Sequence, residues 1–559
     1  MLSPKRLIFV IMMVFSCIVM YGITRQGIHD EDGLLYYTAA RTDIAVAKWI
    51  LAGKSYSLHD YLMEHRIYAR SNYYGKPLFH FISILSLLVF GDYDYSAQIM
   101  CGLFGIITIF IVYKLTELMY NTTAGLFTAA FLTMSPIFIW LARTNMAHMP
   151  QLCFFFAGMY FYMLNTKTQD NLKNKLIILA SGLCMALSFY THLSAVSVIA
   201  WFALYEIYLL LTMEKGFLFF LRRWGLFLLP AIILFFVING ALSSFKTVMG
   251  KEALKEYVGS GGIYMNYVQQ LVFNANATIG NKVDESDKSP VSTLTNLPAS
   301  KVKFMEYMKS YVYDPWVYEG TIRCVLMLAA ILFVLKDYKN TLNLFMAILI
   351  IIPYVFFVTP VSNPSIRTVL TMFPLLAIAV GKLMDTVFSR IKNKYVTLGV
   401  SVIILALLAP DIFALYNVHV GFRNVADFLK QRDVRSVLRL DIHTQVDPYL
   451  DIYGVNTVLL RDPKLIAGYS DIEYTAIALR SSFFSPLTDN DSLRFAKEAV
   501  KKHPVIMEDD FTTSLTAMDM YRRQHSFIVN KLIVNILGNN YRREPIKIYL
   551  FKTANLARQ

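Results

Sequence analysis

A chain of 559 residues that is 56% hydrophobic and only 16% charged, with a mean hydropathy of +0.46, lacks the charge content of a water-soluble globular protein and belongs in a bilayer. Its net charge of +14 does not call for a nucleic-acid partner, because the basic residues of a multi-pass protein gather in its cytoplasmic loops. All five cysteines (Cys17, Cys101, Cys153, Cys184 and Cys324) fall in apolar runs without a CxxC, which argues against a disulfide framework, redox chemistry or a zinc site.

Lys5-Arg6 followed by Leu7 to Ile23 has the charge and apolar run of a signal peptide but no small-residue cleavage site, so it is read as a retained first span. A hydrocarbon core about 30 Å thick needs roughly 20 apolar residues per helix. About eleven segments approach that length, near residues 7–24, 96–118, 123–141, 149–164, 176–191, 193–212, 224–240, 321–336, 341–358, 366–386 and 396–415. Pro77 to Phe90 is too short, and is expected to lie in the interface or re-enter.

With the N-terminus inside, the cytoplasmic connections carry Lys5 and Arg6; Lys114; Lys167, Lys173 and Lys175; Lys215, Arg222 and Arg223; Lys336 and Lys339; and Arg390, Lys392 and Lys394. That is a positive-inside pattern, and counting Pro77 to Phe90 as a span inverts every later loop. Four regions then lie outside: a loop over residues 25–95, a tight turn at Arg143 to His148, a loop over 241–320, and everything after Leu415. The second long loop, with Gly259, Gly261 and Gly262 beside a polar run, reads as a mobile lid or as a disordered insertion. Residues 416–559 alternate short β-rich runs (Val434 to Leu440, Thr457 to Leu460, Tyr474 to Leu479, Ile546 to Phe551) with polar or amphipathic pieces, as a small α/β domain does. The expected architecture is an all-α polytopic membrane domain, residues 1–415, with an extracytoplasmic (periplasmic) α/β domain, in the inner membrane of a bacterium.

Five elements on the outer face carry chemistry. After the first span, Asp30, Glu31 and Asp32 precede Tyr36 and Tyr37; one acid there reads as a solvated loop start, but three in a row before a surface helix point to function. A carboxylate at this place suits a general base for an acceptor hydroxyl or amine. Lys76 heads the short interfacial segment before Pro77; it reads as a snorkelling lysine or as a fixed cation for a phosphate at headgroup depth. Arg143 and His148 flank the tight turn, His192 follows Tyr190-Thr191 at a span end, and Arg367 stands at the outer mouth of another span. Each has a bland alternative as a structural or headgroup-anchoring residue. Their convergence on one face is the argument, because the topology rests on other residues.

These residues resemble the dolichyl-phosphate-mannose protein mannosyltransferase and aminoarabinose transferase superfamily, which has the GT-C fold. The resemblance covers roughly residues 1–410. It rests on the acids with Tyr36, Tyr37 and Ala40, on Gly75-Lys76-Pro77-Leu78 as the Lys-Pro-Pro-Leu element with one proline missing, and on Arg367 to Pro374 as the Arg-Tyr element with Thr368 for tyrosine. Arg143 matches the arginine of the second outer loop; His148 stands where the family usually has an acid, and His192 where it has lysine. The resemblance implies transfer of a sugar from a polyprenyl-phosphate donor to a lipid, glycan or protein acceptor, within the membrane lipids and without a nucleotide-sugar site. It implies catalysis by one of Asp30, Glu31 and Asp32, with Glu31 and Asp32 preferred, and phosphate binding by Lys76, Arg143, Arg367 and His192. No metal ligand set is assigned, and a divalent cation stays open. The alternatives are a transporter or flippase, a lipid-linked polymer ligase, or a non-catalytic scaffold. Transporters keep ionisable residues near the bilayer midplane, where Glu206 is the notable exception in this chain.

Overall fold

The computed structural model describes residues 3–28, 31–53, 57–67, 76–167, 171–192, 206–207, 210–211, 217–249, 313–358, 372–391, 394–440, 446–460, 462–480, 491–524 and 545–557. Helix α1 (Pro4–Met20) opens on a proline, whose missing N–H is not needed in a first turn, and runs on through a short turn α2 (Ile23–Gln26). Then come α3 (Glu31–Leu51) and α4 (Leu58–Glu64), the latter capped by Ser57, whose hydroxyl accepts from Asp60 N. Helix α5 (Pro77–Phe90) occupies the interfacial segment with the bounds the sequence suggested. Its 14 residues reach about 21 Å at 1.5 Å per residue, which is short of the hydrocarbon core. It packs instead on α3, burying Phe79, Ile82 and Leu87.

The remaining membrane helices are α6 (Ser96–Met119), α7 (Thr122–Thr133), α8 (Pro136–Arg143), α9 (His148–Lys167), α10 (Asn171–Thr191), α11 (Phe217–Met249), α12 (Asp314–Lys336), α13 (Thr341–Val358), α14 (Met372–Ser389) and α15 (Lys394–Leu408). Among the described residues, seven helices are long and apolar enough to cross a membrane, or eight if α7 and α8 form one bent span. The difference from about eleven has particular sources. The expected span 123–141 breaks at Met134-Ser135 with a 65° bend, because Pro136 has no N–H to continue the ladder. The expected span 193–212 lies almost entirely outside the described residues, as do most of the long loop, the Gly-rich part included, and the start of 366–386.

The broken backbone finds partners on α12. Glu319 Oε1 accepts from Ser135 Oγ at 2.5 Å and from Ile137 N at 3.0 Å, and Arg323 donates to Met134 O at 2.5 Å. Freed backbone groups in a membrane must be satisfied internally, and two buried charged side chains do it here. Glu206, the acid expected at a span centre, pairs with Arg223 near the start of α11 at 3.2 Å, and the guanidinium lies 4.8 Å from the Tyr162 ring.

A turn α16 (Pro410–Phe413) leads into a six-stranded sheet of order β1-β5-β6-β4-β2-β3. Strands β1 (His419–Val420), β2 (Ser436–Leu440), β3 (Asn456–Leu460), β4 (Tyr474–Arg480), β5 (Met507–Thr512) and β6 (Ile546–Lys552) alternate with α17 (Gly421–Gln431), α18 (Val446–Ile452), α19 (Asp491–Lys502), α20 (Ser514–Gln524) and α21 (Thr553–Leu556). β2 is parallel to β3 and β4; the other pairings are antiparallel. Both faces of the sheet are apolar: Val437, Ala476 and Ile548 pack towards α17 and α18, and Leu438, Ile477 and Phe551 towards α19 and α21. Each fully buried Ile, Leu or Phe stabilises the folded domain by about 1.5–3 kcal/mol relative to exposure.

The sheet domain docks on the membrane helices through polar contacts beside a shared apolar cluster that includes Leu34, Leu87 and Phe422. Arg41 of α3 reaches Asp92 at 3.0 Å and Asp451 O of α18 at 2.9 Å. Asp94 accepts from Tyr449 at 2.9 Å and Tyr453 at 3.3 Å, with Arg423 3.7 Å away. Arg522 of α20 donates to Asp411 at 2.5 Å and to the carbonyls of Val317 and Tyr318, beside Gly320. Gly320 has φ +73, and a Cβ there would lie 2.6 Å from the Arg522 guanidinium, so the break in α12 requires glycine.

Candidate active site

The site is assembled where α1 ends, α3 and α5 begin, and α8, α9 and α10 meet. Glu31 and Asp32 occupy the first turn of α3, where the helix dipole favours acids; Asp30 lies outside the described residues. The turn between α8 and α9 is stitched to the same place, because Asn145 Nδ2 donates to Gly33 O at 2.8 Å. A Cβ on Gly33 would lie 3.1 Å from Asn145 O, so the close approach favours a residue without one.

One turn further along α3, Tyr36 is buried against Phe79 of α5, edge to face at 4.9 Å between centroids. Lys76, the N-cap of α5, donates to the Tyr36 hydroxyl and sits 4.8 Å from its ring centroid. Its surroundings suit an anion. Pro77 has no N–H, and the first intrahelical bond of α5 is His80 N to Lys76 O at 2.9 Å. The N–H groups of Leu78 and Phe79 therefore stand in the unbonded first turn, beside the lysine and at the positive end of the helix. Tyr37, the adjacent residue on α3, turns about 100° away and donates to Asp92 at 2.6 Å. Burial, then the Asp92 charge, raises its phenol pKa well above the ordinary value. Tyr37 thus belongs to the docking of the sheet domain and not to the lysine corner.

His148 and His192, read separately in the sequence, come together with ring centroids 4.5 Å apart. Arg143 does not join them. It is 2% exposed, with Nε on Gln26 Oε1 at 2.9 Å and Nη1 on the carbonyls of Ile18, Val19 and Tyr21 at 2.8–3.0 Å. Its guanidinium also lies 5.0 Å from the Tyr416 ring. These are the orphan carbonyls at the C-terminal end of α1. Nε and Nη1 of Arg143 therefore close a helix end, a role the sequence reading did not include. Arg367 lies outside the described residues.

An apolar groove of about 800 Å³ opens beside this cluster, walled by Ile44 of α3, Leu78 and Phe81 of α5, Tyr190 of α10 and Leu234 of α11. Pro77 and Tyr190 line it, so Lys76, one residue before Pro77, and His192, two after Tyr190, lie next to it in sequence. Its ionisable lining residues are Asp43, Lys48, His80 and Tyr190, and within that lining His80 Nε2 bonds Asp43 Oδ2. The sequence reading missed this pair. Its signal was a histidine inside an otherwise apolar 14-residue helix, one turn after Lys76, and an acid seven residues after Tyr36. Among the described residues no three His, Cys, Asp or Glu side chains gather as a metal site.

Residues 75–239, which include Lys76, the α8–α9 turn and His192, match the sequence family described as dolichyl-phosphate-mannose-protein mannosyltransferase. Among solved structures, the chain is similar to ArnT from Cupriavidus metallidurans in the apo state (TM-score 0.52, 12% identity, 86% of this chain and 94% of that one). It is similar to the same protein bound to undecaprenyl phosphate (TM-score 0.52, 12% identity, 91% and 96%). The chain has the GT-C fold. The archaeal oligosaccharyltransferase AglB from Archaeoglobus fulgidus, in complex with an inhibitory peptide and a dolichol-phosphate, shares it at TM-score 0.50 and 10% identity, over 85% of this chain and 69% of that one. No curated protein sequence matches the chain. In this GT-C protein the apolar groove is lined by Pro77 and Leu78, which follow Lys76, and by Tyr190, two residues before His192.

Proposed function

We propose that this protein is a glycosyltransferase that moves a sugar from a polyprenyl-phosphate donor to a lipid, glycan or protein acceptor on the outer face of a bacterial inner membrane. The observation that carries the reading is Lys76, set on Tyr36 at the first turn of α5, immediately before Pro77, which lines the apolar groove. A polyprenyl chain in the groove brings its phosphate to that lysine. The matched structures with undecaprenyl phosphate and with a dolichol-phosphate support a ligand of this kind.

The reaction is a single displacement. An acid among Asp30, Glu31 and Asp32 takes the acceptor proton, the acceptor oxygen or nitrogen bonds the sugar anomeric carbon, and the bond from that carbon to the phosphate oxygen breaks with its electron pair left on phosphate. Lys76 and the α5 N–H groups stabilise the departing phosphate as its charge grows, with His192 and Arg367 as further candidates. Arg143 serves by fixing the end of α1 under the turn that carries Asn145. The N-terminus is cytoplasmic in this reading, and the sheet domain, which contacts α3 and the ends of α5 and α12, bears on the acceptor.

The test is reconstitution in liposomes with radiolabelled polyprenyl-phosphate sugars, comparing wild type with Lys76→Ala and with Asp30→Asn/Glu31→Gln/Asp32→Asn. Label should leave the lipid in wild type and stay on it in both variants. Labelled lipid that crosses the bilayer intact instead establishes a flippase.

A further inference from the structure

We propose that a basic pocket at the far ends of α9, α10 and α11 binds the headgroup of an anionic phospholipid. The inference does not rest on the transferase reading. A cavity of about 120 Å³ is lined there by Asn165 of α9, Asn174 and Lys175 of α10, and Arg222 and Arg223 of α11, with Ile178 and Leu226 one turn further along. Asn165 stands 17 positions after His148 on α9, about 26 Å at 1.5 Å per residue. The pocket therefore lies at the end of the bundle opposite the candidate active site, the end that the basic loops assign to the cytoplasm.

The lining is built and not merely charged. Arg223 is fixed by Glu206 at 3.2 Å and by the Tyr162 ring. Asn165 is buried and donates to the Asn174 backbone carbonyl at 2.8 Å and to its side-chain oxygen. That ties α9 to α10 and engages an oxygen that would otherwise repel an anion. Residues 165–175 and 213–223 hold six basic residues against Asp170 and Glu214. Glu206 brings the acids to three, so a surplus of three positive charges remains however they pair.

A positive-inside bias asks only for basic residues in loops. Here Arg222 and Arg223 are the third and fourth residues of the apolar span Phe220–Ala241, and Lys175 is the fourth of Leu172–Thr191, which sets all three at the depth of lipid phosphates. A guanidinium offers paired donors that match phosphate oxygens. Two features favour a lipid over a free phosphate. Ile178 and Leu226 stand four residues deeper into the membrane than Asn174 and Arg222, where the glycerol and first methylenes of a lipid lie. Leu176 and Leu221, next to Lys175 and Arg222 in sequence, are exposed, as side chains that face acyl chains are. The positive surplus repels the ammonium of a zwitterionic headgroup and attracts a headgroup with net negative charge.

The experiment measures binding of fluorescent phosphatidylglycerol and phosphatidylcholine, with the same acyl chains, to the full-length protein in detergent micelles. Wild type should prefer phosphatidylglycerol. Lys175→Gln and Arg222→Gln should each lower its affinity about fivefold, and together about thirtyfold, the effect of removing one and two cations at a lipid phosphate, with phosphatidylcholine little changed. Lys175→Arg/Arg222→Lys should keep the preference, and Lys336→Gln/Lys339→Gln, which removes the same charge elsewhere on that face, should leave it intact. Equal weakening by Lys336→Gln/Lys339→Gln makes the preference one of diffuse surface charge and overturns the proposal, as does a wild type that binds the two lipids alike. Displacement of phosphatidylglycerol by inorganic phosphate, beyond that by chloride at the same ionic strength, makes the pocket a free-phosphate site and overturns the lipid assignment.

Discussion

Two basic corners of the same face look alike in sequence and differ in structure. Lys76 heads a short helix; Arg143 closes a short helix before a tight turn; and the resemblance to the GT-C enzymes marks both. Lys76 stands partly exposed, next to Pro77 in the groove wall, and donates to the Tyr36 hydroxyl. Arg143 is buried and gives its Nε and Nη1 to Gln26 and to the carbonyls of Ile18, Val19 and Tyr21 at the end of α1. A cation that is to meet a ligand needs a face that the ligand can reach. One that completes a helix end is committed to the fold on that side, and its removal is felt by the fold before the chemistry.

The comparison breaks most sharply under substitution of the acids and of Lys76. Glu31→Gln or Asp32→Asn, whichever removes the base, should lower transfer by about 10²–10⁴-fold. Lys76→Ala should lower it by about 10²–10³-fold, the range for loss of one donor to a developing anion. In each case the melting temperature should stay within a few degrees of wild type. Arg143→Gln should invert that pattern. Buried carbonyls left unsatisfied cost about 1–3 kcal/mol each, so thermal stability in nanodiscs should fall by several degrees while the rate per folded molecule stays within about tenfold. A folded, inactive Arg143→Gln protein returns the arginine to the phosphate site.

How far the sequence showed this depends on which interactions are local. The bounds of α5 were readable because a proline and a glycine punctuate an apolar run too short to span. Strands β2, β3, β4 and β6 were readable from their β-branched content. Strand β5, Met-Glu-Asp-Asp-Phe-Thr, was not, since three adjacent acids have poor strand propensity; it forms because Lys547 of β6 pairs with Glu508 at 3.3 Å and Asp510 at 2.9 Å while Phe511 is buried. The bend between α7 and α8 carried a local sign, Ser135-Pro136, but its partners Glu319 and Arg323 lie more than 180 residues away. The role of Arg143 was hidden for the same reason, as was the pairing of His80 with Asp43 across two helices.

The junction under the sheet domain extends the comparison to a third arginine. Arg522, like Arg143, caps backbone carbonyls, but it reaches them from another domain and shares Asp411 with Arg323. Arg522→Ala and Asp411→Asn should each destabilise the protein, and the double variant should fall short of their sum by about 1–3 kcal/mol, the coupling expected of residues in one network. Strict additivity in a denaturation series would show that the network does not act as a unit.

The smallest effect belongs to Asp94, at the other contact between the two domains. Burial raises its pKa above the ordinary carboxylate value, and the nearby Arg423 and the hydroxyls of Tyr449 and Tyr453 oppose that rise without cancelling it. A raised native pKa means that the fold favours the protonated form. The contribution to docking is therefore complete below the unfolded value of about 3.9 and is lost as pH rises through the higher native value. Protection of β1, α17 and α18 against hydrogen exchange should fall as the pH is raised across that range in wild type. Asp94→Asn, which mimics the protonated acid and still accepts from Tyr449, should hold the protection nearly constant. If protection instead grows with pH in wild type, the ion pair with Arg423 dominates, and the contact between Asp94 and the sheet domain works by charge, as the lysine corner is proposed to do, and not by a buried hydrogen bond.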